Sequence, residues 1–195
     1  MFFFLEFRIY FGFRASDFYL ILDPPLMFTL LFILVLIFLC SLTYAARAGA
    51  PWVPTWKRDI DRLATLLDLK PGERFFELGC GDGRVSIELA KLSGAHATGV
   101  ELSLLQWLVA QIRRVLGHHK NVTFVLGNAF NVDLTNADAV YLFLMPATYK
   151  KIRPKLEREL KPGARVVTYV WPMPDWTPTR VDTFVKAPSL YLYQR

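Results

Sequence analysis

The stretch Glu77-Leu78-Gly79-Cys80-Gly81-Asp82-Gly83 decides the fold. Before it, Arg74–Leu78 reads as a short buried strand; after it, Arg84–Leu92 reads as a helix. Three glycines at alternate positions allow a tight turn and bring the backbone close to a ligand. The helix that follows offers its N-terminus to an anionic group. Glu101 ends the next strand, Ala97–Glu101, 22 residues after Gly79. An acidic residue at that place can accept hydrogen bonds from two ribose hydroxyls. The glycine spacing separates this loop from other nucleotide loops. A dinucleotide fingerprint needs glycine at the first, third and sixth positions, whereas here the sixth is Arg84 and glycine falls at the fifth, Gly83. The Gly-Lys-Ser/Thr ending of a P-loop is absent.

Outward from the loop, strands and helices alternate. Thr55 is a suitable N-cap for a helix carrying Ile60, Leu63, Ala64 and Leu67, which stops at Lys70-Pro71-Gly72. Ser103 opens a helix Leu104–Leu116 that Gly117 closes, and Val122–Leu126 is a third strand. Ala139–Met145 is wholly apolar and therefore central in a parallel sheet. Helix Thr148–Leu160 ends at Lys161-Pro162-Gly163 and feeds a fifth strand, Arg165–Val170. Arg180–Val185 and Ser189–Tyr193 are β-like and close the sheet as an antiparallel edge. The pattern predicts an α/β domain, a mostly parallel sheet with helices on both faces.

Composition divides the chain in two. It has 195 residues and is 53% hydrophobic with net charge +6, and its mean hydropathy is +0.29. Ten of the 16 phenylalanines precede residue 40, and residues 1–46 hold only Glu6, Arg8, Arg14, Asp17 and Asp23 as charges. The remaining residues carry 21 Lys and Arg against 14 Asp and Glu, a net of +7. Disorder, collagen-like repeats and a disulfide scaffold are excluded. Cys40 and Cys80 form no framework, and His96, His118 and His119 lack a partner at zinc spacing, so no metal site is expected.

Residues 24–46 are free of charge, and the run Leu26–Leu42 is long enough for a single transmembrane helix. A cleaved signal peptide would have a shorter apolar core nearer the start. Basic residues flank the run as Arg8 and Arg14 before it and Arg47, Lys57, Arg58 and Arg62 after it. That bias places the C-terminal domain on the cytoplasmic or matrix-equivalent side. Residues 1–23, rich in Phe and interrupted by charge, are expected to lie in the membrane interface. Residues 47–72 then form a pre-domain segment and helix, and 73–195 the domain itself.

The form Glu-x-Gly-x-Gly-x-Gly, with its strand, helix and acidic partner Glu101, resembles motif I of class I S-adenosylmethionine methyltransferases, a Rossmann-like fold. The resemblance narrows further. Pro51-Trp52-Val53-Pro54-Thr55 after a single apolar run, with Gln106-Trp107-Leu108-Val109-Ala110 and Pro162-Gly163-Ala164-Arg165-Val166-Val167, is similar to a family of small membrane-anchored protein-lysine methyltransferases. Those enzymes modify the ATP synthase c-subunit and the adenine nucleotide translocase. The likeness covers about residues 48–176.

The resemblance implies S-adenosyl-L-methionine as cofactor and a lysine of a protein, an integral membrane protein, as acceptor. It assigns the cofactor site to Glu77, Gly79, Cys80, Gly81, Asp82, Gly83, Glu101 and Leu102, with Trp52 and Thr55 as a lid. Asn128 and Ala129 follow the third strand, where this fold commonly carries an acid that meets the adenine amino group; the Asn128 oxygen can still accept that bond. Phe143, Met145, Pro146, Tyr169 and Trp171, at the ends of strands four and five, are candidates for an acceptor channel. No general base stands out, and Arg84 is open to substrate contact or to solvent. The fourth strand lacks the Asn/Asp-Pro-Pro-Tyr/Trp of base and glutamine methylases, so no nucleic-acid partner is expected. Lys150, Lys151, Arg153, Lys155 and Arg158 form either a solvated face or a contact with anionic headgroups of the bilayer. A tethered small-molecule or lipid methyltransferase, and a non-catalytic membrane adaptor that keeps a cofactor pocket, remain as alternatives.

Overall fold

The computed structural model describes residues 24–48 and 53–195, in two compact units, Met1–Cys40 and Ser41–Arg195. The interfacial expectation for 1–23 and the lid residue Trp52 lie outside the described residues. Helix α1, Pro24–Ala48, has 25 residues, and its side chains from Pro24 to Cys40 are all exposed. Among the described residues, no helix is long and apolar enough to cross a membrane. The transmembrane span expected over 24–46 is not shown among the described residues.

In the larger unit the elements run α2 (Lys57–Leu67), β1 (Arg74–Leu78), α3 (Arg84–Ser93), β2 (His96–Glu101), α4 (Leu104–Leu116), β3 (Val122–Leu126), β4 (Ala139–Leu142), α5 (Pro146–Glu159), β5 (Arg165–Tyr169), β6 (Arg180–Phe184) and β7 (Ala187–Gln194). One seven-stranded sheet has the order β3-β2-β1-β4-β5-β7-β6. The first five strands pair in parallel. β7 is antiparallel to both β5 and β6. β4 sits between β1 and β5, where its four buried residues Ala139–Leu142 require burial on both faces. Leu63, Leu67, Phe75 and Leu89 fill the core on one side, and Leu134, Ile152 and Leu156 fill it on the other.

Three local expectations are corrected, and Gly117 closes α4 as expected. The fourth strand ends at Leu142, not Met145. The buried Tyr149 hydroxyl donates to the Leu142 carbonyl at 3.0 Å and accepts from the Leu144 amide at 3.4 Å, which draws the chain out of the ladder toward α5. The fifth strand stops at Tyr169 because Val170 takes φ +72°, left-handed backbone that cannot continue a strand. Thr55 does not cap α2: the N-cap is Trp56, and Thr55 is buried with its hydroxyl 3.3 Å from that of Tyr141. Gly117 caps α4 at φ −87°, without left-handed backbone. A Cβ there would meet the His119 ring, which would have to shift to admit it.

Phe124 locks the glycine loop to the sheet. A Cβ on Gly83, at φ +75°, would overlap the Phe124 ring, and one on Gly99 would lie 2.7 Å from the same ring and 2.8 Å from Cys80 Sγ. Gly83→Ala combines that overlap with left-handed strain and is expected to cost roughly 2–4 kcal/mol in chemical denaturation. Adding Phe124→Leu should recover the steric part. A loss below about 1 kcal/mol would contradict the packing role.

Candidate active site

The glycine loop is held by carboxylates of the protein itself. Glu101 Oε2 accepts from the Gly81 amide and its Oε1 from the Ser103 amide, both at 2.8 Å. The end of β2 thus ties the loop after β1 to the turn before α4. Each carboxylate oxygen has two acceptor directions, so one remains on each for a pair of ribose hydroxyls. Gly79 and Gly81 take φ +83° and +54°, which a Cβ would oppose. Glu77 Oε2 accepts from the Ser86 amide at 2.9 Å and the Ser86 hydroxyl at 2.6 Å. Asp82 Oδ1 accepts from the Arg84 amide at 3.4 Å.

These contacts revise the reading of the helix. Amides in the first turn of α3 are taken by Glu77 and Asp82, so the protein's own acidic side chains cap the helix N-terminus. The Arg84 side chain is 31% exposed and lies against Asp82. It forks onto Asp82, with Nη2 to Oδ2 at 2.6 Å, and Arg113 joins at 3.1 Å. Asp82 therefore secures the loop to α4 more than it presents itself to a ligand. Glu77 and Glu101 differ: among the described residues neither forms an ion pair with Lys or Arg, although both are buried. Glu101, a buried carboxylate beside the loop with no ion pair among the described residues, disfavours a pyrophosphate there.

Leu102 is half-buried between Glu101 and Ser103. Asn128 accepts from the Phe130 amide at 3.0 Å and caps the 3₁₀ turn Ala129–Asn131, leaving one acceptor direction on its oxygen. Cys80 is buried, and burial pushes its thiol well above the usual range. Ser103 is a site residue that the motifs did not reveal: its hydroxyl is buried without a hydrogen-bond partner among the described residues. That orphaned group, next to a carboxylate with spare acceptors, fits a polar nucleoside. Its signal was present in sequence only as an N-cap, a role its side chain does not take.

At the ends of β4 and β5, the Phe143 ring meets Tyr169 edge-on at 4.8 Å and lies 6.4 Å from Trp171. Met145 is exposed and is the N-cap of α5, and Pro146 is its first residue. Tyr149 spans the two strand ends, its hydroxyl also 3.4 Å from the Tyr169 carbonyl. The Tyr169 hydroxyl donates to Asp59 Oδ2 at 2.7 Å, and Arg62 donates to Asp59 Oδ1 at 2.9 Å. Burial would raise the Asp59 carboxyl, but Tyr169, Arg62 and Arg58 together hold it below the usual carboxylate range. Asp59 and Tyr149 are hard to find in sequence because an acid or a phenol inside an amphipathic pattern looks like a surface residue. The basic run on α5 is mostly self-paired: Lys155 and Arg158 bond to Glu159, and Arg153 to Glu157 and Asp175, leaving Lys150 and Lys151 exposed.

Burial, with Asp82 and Glu101 nearby, raises the Glu77 carboxyl to about 8, outweighing its bonds to Ser86. A carboxyl raised on folding contributes stability below its unfolded value near 4.5, and that contribution is lost as pH rises through 8. Thermal stability of the free chain is therefore expected to fall from pH 5 to pH 8, and Glu77→Gln should flatten the fall; an unchanged slope would contradict it. Glu101→Ala removes two charged hydrogen bonds within the protein and the ribose acceptors. Binding of S-adenosylhomocysteine by calorimetry should weaken by about 1–3 kcal/mol. Unchanged affinity would remove Glu101 from the site.

Comparison with known proteins agrees with this geometry. The family described as "ANTKMT methyltransferase domain" matches residues 77–180, just over half of the chain. A protein-lysine N-methyltransferase of Saccharolobus islandicus is 35% identical over 134 residues, 67% of this chain and 83% of that protein. The lysine N-methyltransferase of Homo sapiens named for the ATP synthase c-subunit is 34% identical over 134 residues, and the chain spans 56% of its length. Among solved structures, an RNA methyltransferase from Salinibacter ruber bound to S-adenosyl-L-homocysteine superimposes with TM-score 0.69 at 32% identity, covering 73% of this chain and 93% of that one. The cofactor is thus S-adenosylmethionine, and Glu77, the glycine loop, Glu101 and Ser103 are the residues that would hold it. The chain belongs to the ANTKMT methyltransferase-domain family of S-adenosylmethionine-dependent protein-lysine methyltransferases.

Proposed function

We propose that this protein is a membrane-anchored protein-lysine N-methyltransferase whose acceptor is a lysine of an integral membrane protein. The observation that carries the reading is the Phe143–Tyr169–Trp171 cluster at the strand ends beside the cofactor loop. Removing a proton from lysine at neutral pH costs roughly 4–5 kcal/mol, given a reference pKa of about 10.4. Aromatic and apolar walls reduce that cost by disfavouring the charged amine. Ring faces attract the ammonium before the proton passes to solvent, and the neutral amine then enters. Tyr149 keeps the two strand ends apart at a set distance, and Asp59 holds the Tyr169 ring in place. When bound, the cofactor supplies an electrophilic methyl group on a sulfonium, and orientation of the amine supplies much of the acceleration.

The membrane part of the proposal rests on α1. Its described surface is apolar and exposed from Leu26 to Leu39, and its residues 24–46 carry no charge. The bias of Arg47, Lys57, Arg58 and Arg62 over Arg8 and Arg14 favours the domain on the cytoplasmic or matrix-equivalent side. A tether raises the effective concentration of a membrane-embedded acceptor. The relatives from Homo sapiens and Saccharolobus islandicus are named for a lysine of the ATP synthase c-subunit and for protein lysine, and both agree with this acceptor class.

A second reading, RNA methylation, draws on the activity named for the Salinibacter ruber protein and on the domain's net charge of +7. Against it, β4 runs into Phe143-Leu144-Met145-Pro146 without the motif that grips a planar amino group. Membranes incubated with the enzyme and methyl-labelled donor separate the readings. Label on lysine Nζ of a membrane protein, located by tandem mass spectrometry, is expected. Label confined to RNA or to the organic extract would overturn the assignment.

A further inference from the structure

The exposed surface where α2 begins is the feature least explained by the fold or the cofactor site. Trp56 is 70% exposed, Phe184 54% and Val185 80%. Phe184 and Val185 are adjacent in the β6–β7 hairpin, and Trp56 is the N-cap of α2. The Arg58 guanidinium lies 5.5 Å over the Phe184 ring. Arg62 donates to Asp182 Oδ2 and to the Pro188 carbonyl, each at 3.0 Å, so the β6–β7 hairpin is fastened to the first turns of α2. Val185 and Lys186 form the hairpin tip.

Charge on the patch is mostly positive at the surface, with Asp61 of α2 the exposed acid one turn from Lys57 and Arg58. Lys57, Arg58 and Lys186 are exposed. The other nearby acids are consumed: Asp59 is buried with Tyr169 and Arg62, and Asp182 is paired with Arg62. Aromatic and aliphatic side chains rimmed by Lys and Arg are the composition of surfaces that sit at a bilayer interface.

Strand direction places this patch at the acceptor end of the sheet. β7 runs antiparallel to β5, with Leu190 opposite Tyr169 and Gln194 opposite Arg165. The hairpin tip therefore lies beyond the C-terminal end of β5, the end that carries Tyr169 and Trp171. Chain length supplies the second constraint. α1 ends at Ala48 and Trp56 immediately precedes α2. The eight residue steps between them reach at most about 29 Å at 3.6 Å per residue.

We propose that Trp56, Phe184 and Val185, rimmed by Lys57, Arg58 and Lys186, dock the domain on an anionic lipid surface, which holds the acceptor opening at headgroup level. This rests on the reading of α1 as a membrane anchor. The apolar outer face of α4, which includes Leu108, Ile112 and Leu116, is the rival surface. α4 starts after the end of β2 and runs back along the sheet, so Leu116, 75% exposed, lies at the opposite end from the acceptor cluster.

The test uses the full chain with Cys40→Ser, since Cys80 is buried. Val185→Cys or Leu116→Cys is labelled with bimane and reconstituted into phosphatidylcholine–phosphatidylserine vesicles containing brominated acyl chains. The expected result is flotation with the vesicles, loss of emission at position 185 that lessens when phosphatidylserine is omitted or salt is raised, and unchanged emission at 116. Flotation with emission intact at 185, or loss at 116 instead, overturns the docking face while the anchor stands. Failure to float overturns the anchor reading and the docking face with it.

Discussion

One carboxylate organises the cofactor side of this molecule. Glu101, at the end of β2, accepts from the amides of Gly81 and Ser103, and so joins two loops that leave adjacent strands. Buried backbone amides without partners are costly, so the two loops settle where Glu101 can serve both. The glycine conformations follow from this closeness, as do the small residues beneath it. Gly83 and Gly99 leave room for the Phe124 ring, and Trp107 and Gln111 of α4 donate to the Phe124 carbonyl. These last two bonds occupy a carbonyl on the edge strand β3, which would otherwise invite pairing with another chain.

A second buried carboxylate organises the acceptor side. Asp59 belongs to the helix that precedes the sheet, yet it bonds to Tyr169 at the end of β5 and shares Arg62 with Asp182 of β6. The pre-domain helix is thereby tied to the aromatic cluster and to the terminal hairpin. A unit of this size has no separate substrate domain among its described residues. Acceptor choice then falls to the helix start, the hairpin and, in the function proposed, the membrane.

Strand positions were legible because continuous apolar runs bounded by Lys-Pro-Gly or glycine admit few alternatives in a parallel sheet. The cofactor loop was legible because glycine spacing, strand, helix and Glu101 all had to agree. What escaped was set by tertiary contacts between distant residues. Tyr149 shortens the fourth strand from within α5, and Val170 ends the fifth by backbone conformation. Thr55 has the right chemistry for a cap, but Tyr141 claims its hydroxyl. Asp82, expected in the cofactor site, and Arg84, open to substrate or solvent, also bond to each other two residues apart. Asn128 was read as a ligand acceptor and also serves a local turn. In each case the residue type allowed several roles, and only the fold selected among them.

The protein's own Glu101 carboxylate holds the cofactor loop in shape, through the Gly81 and Ser103 amides. Amide hydrogen exchange at Gly81 and Ser103 in the free protein tests this most directly. Both amides should be protected without ligand, and should gain little further protection with S-adenosylhomocysteine. Rapid exchange at either amide in the free chain, with protection appearing only on binding, would contradict it.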